Sequence, residues 1–255
     1  MSAMVDHVIA QIVRLYVRLL ACQARLAAQT DSEALHDLRT TVRRLRSLLR
    51  PLRGLPGVDQ LEAAASQVGD LTTPYRDKEV LAAHLLAYQQ AEAAMKRIAE
   101  MEGVFVAVAA SAELSRLLAV LDAFPMFLRA AQRQWLLRGL RRRVEKRLAK
   151  QWKQLDEALR DPAHDRHRLR LLIKRVRYAA ETYPQLDRSP ARITRCLKQA
   201  QGALGDWHDH LQWLLKAEQE VDLVPCVARW QASMEQAEQR SDQVLDKLLA
   251  ACAKQ

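Results

Sequence analysis

The sequence predicts an all-α protein made of two antiparallel helical bundles, and three observations lead there. Glycine and proline are scarce, at 7 and 8 residues in a chain of 255. Ala, Leu, Arg and Gln, which lose little freedom on entering a helix, dominate in their place. Strand formers do not alternate anywhere along the chain, and a segment of the first half returns in the second. A hydrophobic fraction of 49% in a chain of this length is enough to bury a sizeable core.

Taken in order, the first helix is expected over residues 3–29 and ends at the polar break Thr30-Asp31-Ser32. Asp31 or Ser32 can cap a second helix that continues to about Arg53. Gly54-Leu55-Pro56-Gly57 is a stop, and a third helix reaches about Leu71. Thr72-Thr73-Pro74 should break it, because proline disfavours a helical residue before it. Helical patterns then cover residues 77–102 and 112–123. Beyond Phe124-Pro125 a long basic helix is expected over 126–159. Asp161-Pro162 opens a helix to Tyr183, followed by helices over 190–204, 209–221 and 225–255. The short connections suit antiparallel bundles. The chain is divided into repeats at 1–123 and 124–255.

The repeat is visible residue by residue. His36-Asp37-Leu38-Arg39-Thr40-Thr41-Val42-Arg43-Arg44-Leu45-Arg46 aligns without a gap on His167-Arg168-Leu169-Arg170-Leu171-Leu172-Ile173-Lys174-Arg175-Val176-Arg177. Further on, Arg76-Asp77-Lys78-Glu79-Val80-Leu81 resembles His208-Asp209-His210-Leu211-Gln212-Trp213, in the same order and at nearly the same spacing. Internal duplication is the expected origin.

The net charge of +10 points to a polyanionic partner: nucleic acid, an anionic membrane surface or another phosphate polymer. At about 100° per residue, Arg39, Arg43, Arg46 and Arg50 fall within a narrow arc beside His36. Leu38, Val42, Leu45 and Leu49 form the apolar side next to it. His167, Arg170, Lys174 and Arg177 repeat the pattern beside Leu169, Ile173 and Val176, with Glu181 where the first copy has Arg50. A cationic stripe along the flank of an apolar face can line a groove, the aliphatic stems packing while the charged heads point outward. Guanidinium groups on successive turns, about 5.4 Å apart, suit a linear polymer with closely spaced charge. A solvated face of i,i+4 ion pairs would need interleaved acids, and only Glu181 is present. Arg138, Arg142 and Lys146 share one side of the basic middle helix, and Arg14 and Arg18 are the matching candidates near the start.

Three other constellations carry less. His36-Asp37, His164-Asp165 and His208-Asp209 each spell the dipeptide of metal-dependent phosphohydrolases, but His36 aligns with His167, whose neighbour is Arg168. No further ligands converge in the pattern, and the positive surroundings oppose a cation. His208, Asp209 and His210 read as a capped helix start, and Trp135, Trp152, Trp207, Trp213 and Trp230 as packing residues rather than base-stacking platforms. Cys22, Cys196, Cys226 and Cys252 show no ligand spacing and read as reduced thiols. With no apolar leader and no stretch near 18 uncharged apolar residues, neither a signal peptide nor a membrane span is expected, and the location is read as cytoplasmic. No cofactor and no metal is expected.

At the two His/Arg segments the sequence resembles the CHAD family, the conserved histidine α-helical domain, whose hallmark is this motif occurring twice. The resemblance covers nearly the whole chain. It implies two bundles related by a pseudo-two-fold axis with a basic channel between them, and non-enzymatic binding of inorganic polyphosphate, with possible targeting to polyphosphate granules. It assigns ligand roles to His36, Arg39, Arg43 and Arg46 and to His167, Arg170, Lys174 and Arg177, and looser ones to Arg14, Arg18, Arg138, Arg142 and Lys146. The helical repeats leave no room for the triphosphate-processing domain to which some members are fused. Nucleic-acid binding is the alternative, without a helix-turn-helix, basic zipper or aromatic RNA platform to support it. A phosphohydrolase is the third. For the motif histidines two roles stay open: a neutral ring bonded within the bundle, or a charged one beside phosphate.

Overall fold

The computed structural model describes residues 3–253, and among them there are helices and turns but no strands. In order, the α-helices are α1 (Ala3–Ala27), α2 (Ala34–Leu49), α3 (Val58–Ala87), α4 (Ala91–Ala99), α5 (Val104–Ala109), α6 (Ala112–Arg133), α7 (Leu140–Arg160), α8 (Arg166–Thr182), α9 (Ala191–Ala217) and α10 (Val227–Cys252). Short 3-10 turns at Arg50–Leu52 and Val221–Cys226 follow α2 and precede α10.

The chain forms two compact units, Met1–Val144 and Glu145–Gln255, which part inside α7. In the first unit α1 packs on α2, α5 and α6, while α3 packs on α2, α4 and α6. Its core is a leucine- and valine-rich interior that includes Ile12, Leu19, Leu26, Leu38, Leu45, Leu61 and Val68, each at 0% exposure. In the second unit α9 packs on both α8 and α10. Leu155, Leu169, Ile173, Val176, Ile193, Leu197, Leu204 and Leu248 close that core. The apolar residues that flank the predicted stripes are thus interior in both units. The 123/124 repeat boundary read from the sequence falls within α6.

Several expected breaks are absent. Helix α3 runs through Pro74. Proline supplies no N–H and crowds the carbonyl four residues back, here that of Asp70, and two threonine hydroxyls bond the carbonyls just before it. Thr72 Oγ1 donates to Val68 O (2.7 Å) and Thr73 Oγ1 donates to Gly69 O (2.8 Å). Pro125 is likewise inside α6. Helix α9 continues through Gly202 and Gly205, so His208, Asp209 and His210 lie mid-helix and do not begin one. A helical glycine costs only about 1 kcal/mol against alanine, which the packing on α8 and α10 can offset.

Two helix ends were not expected, and their geometry explains why. Helix α3 stops at Ala87 because Gln89 adopts the left-handed conformation (φ 60°), with Gln89 N donating to Leu86 O and Gln90 N to Leu85 O. Helix α6 ends in the same way at Trp135 (φ 63°), with Trp135 N donating to Gln132 O and Leu136 N to Ala131 O. The end of α1 at Gln29 (φ 51°) repeats the pattern. These are paired C-terminal bonds of the kind glycine usually permits, and the sequence offers no glycine at any of the three. Consequently the helix expected over 126–159 is two helices separated by a turn, with Gly139 (φ 69°) just before α7.

The start of α3 does follow its glycine signal. Gly57 has φ 75°, and a Cβ there would lie 2.7 Å from the Phe127 ring. The four cysteines are free thiols. One helical stretch, 91–133, contains an 18-residue window of mean hydropathy 1.9, a third of it buried. The fold breaks that stretch into α4, α5 and α6, the last capped by Ser111 accepting from Leu114 N at 3.3 Å.

Candidate polyanion-binding stripes

In the first unit the stripe lies on α2. Leu35, Leu38, Val42, Leu45 and Leu49 are buried, which turns His36, Arg39 and Arg46 to the half-buried margin and leaves Arg43 exposed. Arg39 is held most firmly. Its Nη1 donates to Gly69 O (3.2 Å), Thr72 Oγ1 (3.0 Å) and Thr73 Oγ1 (3.0 Å) on α3. Burial lowers its pKa from the ordinary arginine value, with Asp77 opposing that shift. Arg46 reaches the same place on α3: a Cβ at Gly69 would be 3.4 Å from its Nη1. Gly69 therefore meets two guanidinium groups, its bare Cα edge facing Arg46 and its carbonyl accepting from Arg39. His36 Nε2 and Arg43 Nη2 each lie 3.5 Å from Thr40 Oγ1, at the limit of a hydrogen bond. Arg50 follows α2 in the 3-10 turn, its backbone N–H donating to Arg46 O.

Acids accompany this stripe. Asp37, the partner of His36 in the phosphohydrolase-like dipeptide, accepts from Arg25 Nη1 at 2.7 Å, which gives it a structural role. Arg25 also grips Asp31 with two bonds and pulls its pKa down to about 2. On α3, Arg76 pairs with Glu79 at 3.0 Å. Burial raises the Glu79 pKa, while Arg76 and His36 act in the opposite direction.

In the second unit the stripe lies on α8, capped by Asp165, which accepts from His167 N at 2.8 Å. His167 is exposed, and Arg170 and Lys174 are half-buried. Arg177 is anchored: its Nε donates to Gln201 Oε1 (2.7 Å), its Nη1 is 3.3 Å from Glu181, and its guanidinium sits 5.0 Å from the Tyr178 ring centre. An open groove of about 290 Å³ beside α8 is lined by Gln154, Asp165, His167, Arg168, Leu171, Leu172 and Arg175.

His208 joins this cluster from α9. Its ring centroid is 5.5 Å from that of His167, and its buried Nδ1 has no hydrogen-bond partner in the protein. Its pKa is pulled down to about 4, by burial first and then by Arg170, His167 and Lys174. The local sequence places His208 at a helix start, whereas it lies inside α9. The available signal was its alignment on Arg76, since both residues then lie inside long helices beside the stripes.

The looser candidates are scattered. Arg14 and Arg18 are exposed on α1, and Arg142 and Lys146 are exposed one turn apart on α7. Arg138 does not share their helix face. It lies in the turn before α7, its guanidinium 4.6 Å from the Trp135 ring centre. The left-handed Trp135 ends α6 before that residue, so the helix face expected to join Arg138 to Arg142 and Lys146 does not form. Trp207, Trp213 and Trp230 are buried, as packing residues should be, whereas Trp135 is 68% exposed. No group of three His, Cys, Asp or Glu side chains among the described residues is arranged to hold a metal ion.

Comparison with known proteins agrees with this architecture. No curated protein matches the chain. Among solved structures it is similar to the crystal structure of the CHAD domain from the plant Ricinus communis, with a TM-score of 0.68 and 23% identity over 98% of this chain and 91% of that one. At that identity the likeness concerns the fold. The family model of the CHAD domain matches residues 10–218, which takes in both stripes and every helix from within α1 to the end of α9. The chain belongs to the CHAD domain family.

Proposed function

We propose that this protein binds inorganic polyphosphate without catalysing its turnover. The observation that carries the reading is the cluster on α8 and α9, where His167, Arg170, Lys174 and His208 stand together and the charges acting most strongly on His208 are all positive. Cations gathered along a helix flank raise the local positive potential and attract a polyanion. The α2 stripe, with His36, Arg39, Arg43 and Arg46, presents the same order of cations on the first unit. A polymer with one charge per phosphate can meet guanidinium and ammonium groups on successive turns. Association with polyphosphate granules in the cytoplasm would follow from such binding.

The test is a titration with long-chain polyphosphate at two salt concentrations. Affinity should fall steeply with salt, because condensed counterions are released on binding. The combined variant Arg39→Glu, Arg43→Glu, Arg170→Glu and Lys174→Glu should lose binding and keep its helical circular dichroism. Undiminished affinity in that variant would overturn the mechanism. Duplex DNA that displaced polyphosphate at equal phosphate concentration would transfer the reading to nucleic acid. Orthophosphate released in the presence of a divalent metal would replace it with a hydrolase.

A further inference from the structure

We infer that His208 is a binding residue of the second unit and takes up a proton as the polyanion arrives, which makes this half of the proposed site proton-linked. The inference rests on the polyphosphate reading and deepens it. The geometric basis is the placement of His208 on α9, its ring 5.5 Å from that of His167, with a buried ring nitrogen that no protein group satisfies. The matching position in the first unit, Arg76, carries a permanent charge and is paired with Glu79 at 3.0 Å. Three residues further on, at 79 and 211, the aligned position is Glu in the first segment and Leu in the second. The second unit therefore replaces a fixed, compensated cation with a titratable one lacking that acid.

The charges around His208 come from each element packed against α9. From α8, His167, Arg170 and Lys174 face it. From α10, Glu238 is engaged by Trp207 Nε1 at 3.1 Å and lies 3.7 Å from Arg166, which also binds Asp242. Arg240 of α10 pairs with Asp206 at 3.4 Å. Asp209 and His210 follow on α9, and the 221–226 turn carries Asp222. In the free protein burial, and after it the positive neighbours, keep His208 neutral near neutral pH. A bound polyanion reverses the local potential and raises the histidine's pKa. Affinity then increases as pH falls from the bound value toward the free value of about 4.

Long-chain polyphosphate is the probe, since its few terminal groups contribute little titration of their own. Wild-type affinity should tighten roughly fivefold or more between about pH 8 and pH 5.5. His208→Asn should remove at least half of that change on a logarithmic scale. His208→Arg should bind at about pH 8 nearly as tightly as wild type does at about pH 5.5, with a flatter profile. Calorimetry of the wild-type protein in two buffers of different ionisation enthalpy should show net proton uptake, a measurement independent of any variant's folding. An unchanged pH slope in His208→Asn, or no proton uptake by the wild type, overturns the inference while leaving polyphosphate binding intact. Absence of wild-type binding at every pH overturns the binding reading itself.

Discussion

The stripes on α2 and α8 carry cations in the same order but stand in different surroundings. On α2, Arg39 is tied to the backbone and hydroxyls of α3, Asp37 is clamped by Arg25, and Arg76 and Glu79 form an ion pair close by. On α8, the residue anchored instead is Arg177, at the far end, by Gln201 and Glu181. The charges acting most strongly on His208, beside His167, are positive. The same motif thus forms a stripe tied to α3 in one unit and, in the other, a cluster in which the strongest charges acting on His208 are positive. A ligand should gain more from neutralising the second than from displacing acids near the first.

The largest effect expected from this contrast is on binding. Lys174→Glu should weaken long-chain polyphosphate binding roughly tenfold at low salt, and the aligned Arg43→Glu only about threefold. Titrations showing equal losses would mean that the two surroundings do not matter. A smaller effect concerns anchoring. Thr72→Val removes the hydroxyl that accepts from Arg39 and donates to Val68 O, and should cost about 1–2 kcal/mol in denaturant unfolding. Gln201→Ala, which releases Arg177 in the other unit, should cost under about 1 kcal/mol because the Glu181 contact remains. The reverse ranking would contradict the assignment of anchors.

The smallest effect is the acid clamp of the first unit. The Asp31 pKa is lowered to about 2 by the Arg25 hydrogen bonds. A carboxylate depressed in the folded state contributes stability above its unfolded value, near 3.8, and that contribution is lost as pH falls toward 2. Carboxyl chemical shifts should place the Asp31 midpoint near 2, and Arg25→Gln should return it toward 3.8. A midpoint that ignores that substitution would remove Arg25 as the cause. Asp165, before α8, likewise accepts from the backbone N–H two residues on, as Asp31 does from Glu33 N, and what Asp31 adds is the Arg25 clamp.

The helical class and the stripes were legible because periodicity records which side of a helix is buried: Leu38, Val42, Leu45, Leu169, Ile173 and Val176 are all interior. Helix limits were less legible wherever tertiary packing outweighs local preference. Pro74 looks like a stop only when Thr72, Thr73 and Arg39 are considered apart. Gln89 and Trp135 look like ordinary helical residues until their neighbours' carbonyls bind the following N–H groups. Arg138 was misplaced by that second blindness. His208 was hidden differently, since nothing in its local sequence shows that α8 brings His167 to within 5.5 Å of its ring.

The stretch of α3 from Gly69 to Pro74 bears on how such a site tolerates change. The direction of Arg39 is set by a carbonyl and two hydroxyls, and the room for Arg46 by a hydrogen atom in place of a side chain. None of these groups bears a charge. A mutational library restricted to lysines, arginines and histidines would vary what meets the ligand and leave untouched what aims it. Neutral substitutions at 69, 72 and 73 could therefore retune recognition in the first unit while the protein's net charge stays fixed.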